Sequence, residues 1–128
     1  STYYVHTTKA EGSCLPLTNF LGGARPAVSP IHSSLQDYFS AEHGFVIDSE
    51  QEPAPWPHES RHRLRTTWAR LSWNSICSAT EASYHATRDV AAYHAMANRC
   101  RSDMKAWAGY EAVEEKLRHA LSHVMDLT

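Results

Sequence analysis

Cysteine is scarce in this chain, and proline and glycine all but vanish from its second half. The three cysteines, Cys14, Cys77 and Cys100, are too few and too scattered for a disulfide framework. Their odd number points to free thiols and to a reducing compartment such as cytoplasm or an organelle matrix. No two of them have C-x-x-C spacing, which excludes the compact zinc and redox motifs. No apolar run approaches the ~18 residues of a membrane helix, so no membrane partner is expected. The N-terminus lacks the apolar core of a signal peptide. A start at Ser1 fits removal of an initiator Met or cleavage of a presequence. Neither sign of charge dominates: 12 Lys and Arg stand against 14 Asp and Glu. That balance gives no global pull toward nucleic acid or an anionic membrane. Internal repeats and low-complexity tracts are absent as well.

What remains is a chain of 128 residues, the length of one domain with a real core. Its charge is uneven. Residues 1–57 hold two basic side chains against six acidic ones, whereas residues 58–80 hold four arginines against Glu59. The plainest reading is that the two segments neutralise each other, within the fold or across a subunit contact. Tyr3-Tyr4-Val5 and Phe45-Val46-Ile47 have β propensity and suit short strands. Ser29-Pro30 has the form of a helix start, with Gly44 as its C-terminal stop, so a helix is expected over about 30–43. Residues 48–57 are acidic, hold Pro53, Pro55 and Pro57, and read as a linker or arm.

From His58 onward there is no proline and one glycine, Gly109. Leu64, Trp68 and Leu71 follow helical spacing. Ser78-x-x-Glu81 has the form of a capping box that would start a new helix. Val90, Tyr93, Ala97, Cys100, Met104 and Trp107 alternate by threes and fours, a seam for packing on another helix. The seam resumes as Tyr110, Val113, Leu117, Ala120 and Val124, with a shift at Gly109 where the chain either turns or continues. The expected fold is mainly α: a three- to four-helix bundle or long helical hairpin over 58–128. An extended, mostly irregular arm over 1–57, with one or two short strands, would complete a single domain.

One segment spells a chemical pattern. His58-Glu59-Ser60-Arg61-His62 reads H-E-x-x-H. On a helix His58 and His62 share a face and can bind one zinc ion, with Glu59 as general base and Glu81 or His85 as third ligand. Two features weigh against it. Pro57 places His58 in a first helical turn, and Arg61 and Arg63 flank His62, where a buried metal helix favours uncharged neighbours. His119 and His123 form a second pair that could join the first in a four-imidazole cluster. A di-iron site would need a second E-x-x-H beside Glu59-x-x-His62, and none is found. Arg61, Arg63, Arg65 and Arg70, interleaved with Trp68 and Trp73, also suit a basic helix that holds phosphates and stacks bases. His6 and Thr7-Thr8 sit at the end of the first possible strand. ADP-ribosyltransferases hold a nicotinamide nucleotide with such a pair, on a fold with many more strands.

The expectation is a non-enzymatic protein–protein interaction module, such as a small subunit of a larger assembly or a regulator or inhibitor of another protein. It uses no cofactor, and Trp56, Trp73, Arg61 and Arg65 are its partner contacts. The alternatives are a zinc metallohydrolase on residues 58–62 and a nucleic-acid binder on the basic segment 61–70.

Overall fold

The computed structural model describes residues 2–55, 58 and 64–125. It is an α/β mixture and not a helical bundle. Its element order is β1 (Tyr4–Val5), α1 (Leu15–Gly22), β2 (Ala27–Pro30), a 3-10 turn (Ser33–Asp37), β3 (Gly44–Ile47), β4 (Ser49–Pro55), β5 (Leu64–Leu71), α2 (Trp73–Ala86), α3 (Val90–Ala108) and α4 (Tyr110–Met125).

Strands β1, β2 and β3 form a parallel sheet in that order. Parallel strands are covered on both faces and read as continuous apolar runs. That is the case in β2, where Ala27, Val28, Ser29 and Pro30 are all buried. Alternate residues supply the two faces. On one side Tyr4, Ala27 and Val46 meet Leu17 and Leu21 of α1, Leu35 and Phe39, and Cys100 and Met104 of α3. On the other side Tyr3, Val28, Phe45 and Ile47 meet Ile76 and Ala79 of α2, with Tyr93 and Met96 of α3. The seam read along α3 is real: Ala97, Cys100 and Met104 are its buried residues. It packs on α1 along Cys100 and Met104 and on the layer that holds α2 at Tyr93, with strand and turn residues between.

Three expectations about helices are overturned. Ser29-Pro30 does not start a helix; it ends β2, pairing with Val46 and Ile47. Burial between two layers outweighs the local capping signal there. Residues 64–71 form β5, antiparallel to β4, so the supposed arm is half of a hairpin. The apparent helical spacing of Leu64, Trp68 and Leu71 was coincidence, and Thr66-Thr67 carried the strand preference. Arg70 answers the acidic front half across that hairpin, 2.7 Å from Glu50, and Trp68 Nε1 donates to Glu52 at 2.6 Å. Finally, Ser78 and Glu81 lie inside α2. Its actual N-cap is Ser72, whose Oγ accepts from Ser75 N at 3.3 Å.

Gly109 resolves the shift in the second seam. A Cβ there would sit 2.3 Å from Lys105 O, so only glycine closes α3 in this way, and α4 begins afresh at Tyr110. A polar clamp joins α3 to the sheet. His43 Nδ1 accepts from Ser40 N at 3.1 Å, and its Nε2 donates to Asp103 at 3.0 Å. Arg99 binds the same carboxylate at 2.6 Å and Glu42 at 2.6 Å. These contacts hold the loop before β3 against α3. Among the described residues no helix is long and apolar enough to cross a membrane.

Candidate functional site at the carboxyl edge of the parallel sheet

In open α/β sheets, ligands bind outside the carboxyl ends of the strands. Here that edge is where the loop 6–14 after β1 meets the loop 31–34 after β2, and most of the convergent polar chemistry of the domain lies there.

His6 follows β1 directly. Its backbone N–H still bonds Val28 O at 2.8 Å, so the sheet register sets its position. The side chain is 4% exposed. One ring nitrogen, Nε2, lies 2.8 Å from Thr8 Oγ1 and 3.6 Å from the Glu11 carboxylate. The other, Nδ1, lies 3.6 Å from Cys14 Sγ. A carboxylate only accepts, so it draws the proton to Nε2 and leaves Nδ1 to accept from the thiol. Burial lowers the His6 pKa from 6.5; Glu11 opposes the shift and His32 adds to it. The ring is therefore held neutral.

Cys14 is buried and is the N-cap residue of α1. Burial pushes its thiol up and the Glu11 carboxylate adds to the shift, while the nearby Leu17 backbone N–H and Tyr4 hydroxyl pull the other way. Beside it the Tyr38 hydroxyl is raised to about 12, chiefly by burial. Across the gap, His32 Nε2 is 2.9 Å from Thr8 O. A carbonyl cannot donate, so Nε2 carries the proton and Nδ1 accepts from Ser33 Oγ at 3.2 Å. Ser34 Oγ reaches Glu11 O at 3.5 Å. Ser33 has φ +50, a left-handed conformation that non-glycine residues adopt rarely and that clusters at functional sites.

The hairpin holds the outer wall of this loop. Ala69 N donates to Lys9 O at 2.7 Å, and the Lys9 ammonium lies 4.5 Å over the Trp68 ring.

His6, Glu11 and Cys14 bring one ligand atom each within 4.8 Å of one another. The His6–Cys14 spacing matches the roughly 3.5 Å edge of a tetrahedral zinc site. Glu11, however, faces the opposite ring nitrogen. An ion on Nδ1 and Sγ would find the carboxylate hydrogen-bonding the far side of the ring. The arrangement is a relay, thiol to imidazole to carboxylate, and not a three-ligand cage.

The residues singled out by sequence lie elsewhere. Trp56, Glu59, Arg61 and His62 fall outside the described residues, and so does the side chain of Arg65. His58 sits in an exposed turn. Glu81 and His85, the proposed third ligands, pair with each other on the exposed side of α2 at 3.7 Å. Trp73 opens α2 and is 73% exposed. The basic helix is replaced over 64–70 by β5. Sequence reading did note His6 and Thr8 at a strand end. It missed Glu11, Cys14 and His32 as their companions. A strand, then Gly12-Ser13, then a Leu15–Leu21 helical run was the available signal of a βα unit.

Fold and site together define a parallel α/β domain with its polar residues gathered at the carboxyl edge. No protein-family model, no curated protein and no solved structure matches this chain significantly.

The neutral His6 has a pH consequence. Because its folded pKa lies below 6.5, the unfolded chain takes up this proton first as pH falls. The associated stability is full above about pH 6.5 and is lost as pH drops toward the folded value. The His6 ring resonances should titrate with a midpoint below 6.5, and the urea midpoint should decline between about pH 7 and about pH 5. A ring that titrates above its ordinary value would contradict the burial argument.

Proposed function

We propose that this domain binds a small hydroxyl-bearing ligand, of the sugar or nucleoside type, at the carboxyl edge of β1 and β2. The observation that carries the reading is Glu11. Its carboxylate sits at that edge, the ring it faces at 3.6 Å is the neutral His6 imidazole, and it keeps acceptor capacity for ligand hydroxyls. In α/β folds the carboxyl ends of the parallel strands are where ligands bind, and a carboxylate near them can receive ligand hydroxyls. His6 and His32 fix the loop backbone around it. The N-terminus of α1 favours no anion here. Leu15 N bonds Ser13 O, Thr18 N bonds Cys14 O, and Pro16 has no N–H.

The test is an NMR titration with ribonucleosides, monosaccharides and their phosphates. At least one class should shift the amides of residues 6–13 and 31–34, and Glu11→Gln should weaken its binding about 10-fold or more. If every compound leaves those amides unmoved at millimolar concentration, the proposal fails.

A second reading, a protein–protein interaction module, is favoured by α4. Tyr110, Val113, Leu117 and Leu121 are 79, 49, 56 and 54% exposed there, a run of large apolar side chains without cover among the described residues.

A further inference from the structure

We infer that α4 is a self-association helix that pairs antiparallel with α4 of a second copy of this chain. The inference rests on the interaction reading and names its partner.

At about 100° per residue, Tyr110, Val113, Leu117 and Leu121 fall within a band of about 80°. Glu111, Ala112 and Glu115, the residues of α4 that line the groove against Ser102, Lys105 and Ala106 of α3, lie about 120–160° from the centre of that band. The apolar band therefore points away from α3. Lys116 Nζ bonds Trp107 O at 2.8 Å and Lys105 reaches Glu111 at 3.8 Å, which anchors only the first turns. From residue 115 to residue 122 every side chain is exposed. A helix of 16 residues is marginal in water on its own; in proteins the burial of its apolar face sustains it. This face needs a cover.

Charge identifies the cover. Glu111, Glu114 and Glu115 occupy the first half of α4, and Lys116 and Arg118 follow. Parallel pairing would set like charge against like. Antiparallel pairing sets acidic halves against basic halves and also opposes the two helix dipoles. Glu114 and Arg118 border the same side of the apolar band. They bond each other within one chain at 2.8 Å. A two-fold axis near residue 116 brings each to its counterpart on the second copy, twice by symmetry. The same axis sets Tyr110 opposite Leu121 and leaves the Leu117 side chains close to each other at the centre. An anionic lipid surface suits this helix poorly, because its three glutamates outnumber Lys116 and Arg118.

Sedimentation equilibrium of the full chain should show a reversible monomer–dimer equilibrium. Leu117→Glu should weaken it by about 100-fold or more, since two leucines leave the interface at once. The amide spectrum of the sheet should stay unchanged, because Leu117 is solvent-exposed in the monomer. Glu114→Arg and Arg118→Glu should each weaken the dimer about 10-fold, and the double variant should restore it. In a Cys77→Ser background, mixing Tyr110→Cys with Leu121→Cys should give crosslinked heterodimers, and Tyr110→Cys alone should not. A chain that stays monomeric at millimolar concentration overturns self-pairing, whatever else covers the band. A dimer indifferent to Leu117→Glu, or one that crosslinks through residue 110 alone, overturns it as well. Loss of amide shifts in the sugar and nucleoside titration would leave these outcomes untouched, so the two proposals fail separately.

Discussion

Gly44→Ala should unfold this domain or leave it barely stable. Gly44 opens β3 with φ +157 and pairs with Ala27. A Cβ at that position would lie 1.8 Å from Ala27 O, 2.7 Å from its carbonyl carbon and 2.8 Å from its nitrogen. All three are backbone atoms of the central strand, so no side chain can move aside. Relief requires β2 and β3 to separate, which breaks the 3.1 Å bond from Ala27 N to His43 O and opens both core layers. A loss of about 4 kcal/mol or more is expected, close to the whole stability of a small domain. Urea unfolding of the purified variant measures it. A midpoint near that of the wild type would show that the β2–β3 pairing is not as close as described.

Leu17→Ala should cost about 3–4 kcal/mol. Leu17 is fully buried in α1, in the cluster with Cys14, Leu21, Ala27, Leu35, Tyr38, Cys100 and Met104. The cluster draws on α1, β2, the 3-10 turn and α3, so it cannot collapse around the lost atoms without moving several elements. The control is the neighbour Leu15, 66% exposed, whose change to Ala should alter stability by less than about 0.5 kcal/mol. Leu17 also packs in the same cluster as Cys14, the residue that closes the loop 6–14. Hydrogen exchange in the loop 6–14 should therefore accelerate in Leu17→Ala and not in Leu15→Ala. Equal effects from the two substitutions would sink the assignment of α1's inner face.

These two positions show where sequence reading succeeds and where it stops. The apolar face of α3 was legible because one helix face repeats every three or four residues, and Ala97, Cys100 and Met104 are indeed its buried side. Val5 and Phe45–Ile47 were legible as strand through β-branched and aromatic content. Gly44 was noticed as a punctuating residue, but for a helix end, because a glycine reports a special conformation without saying which neighbour demands it. Here the neighbour is Ala27, 17 residues earlier in the chain. Ser29-Pro30 and Ser78-x-x-Glu81 carried helix-start signals of the kind worth about 1 kcal/mol; burial in the sheet outweighed the first, and the second fell inside α2, which Ser72 had already started. The Leu64–Trp68–Leu71 spacing fitted two periodicities, and pairing with β4 decided between them.

The site divides in the same way. Sequence alone determined an inventory: a histidine at a strand end, few thiols, an acidic front half, a long proline-free region and an apolar stripe on the last helix. Those features are local, set by composition and short-range spacing. Only the tertiary structure decided that residues 6, 11, 14 and 32 share one edge, because parallel strands are joined by crossovers and bring together residues far apart in the chain. Only the tertiary structure, too, decided which apolar stripe is core and which is bare. The seam of α3 and the stripe of α4 look alike as sequence. What separates them is the sheet and α1 packed against the one, and the turn at Gly109 that carries the other clear of the domain.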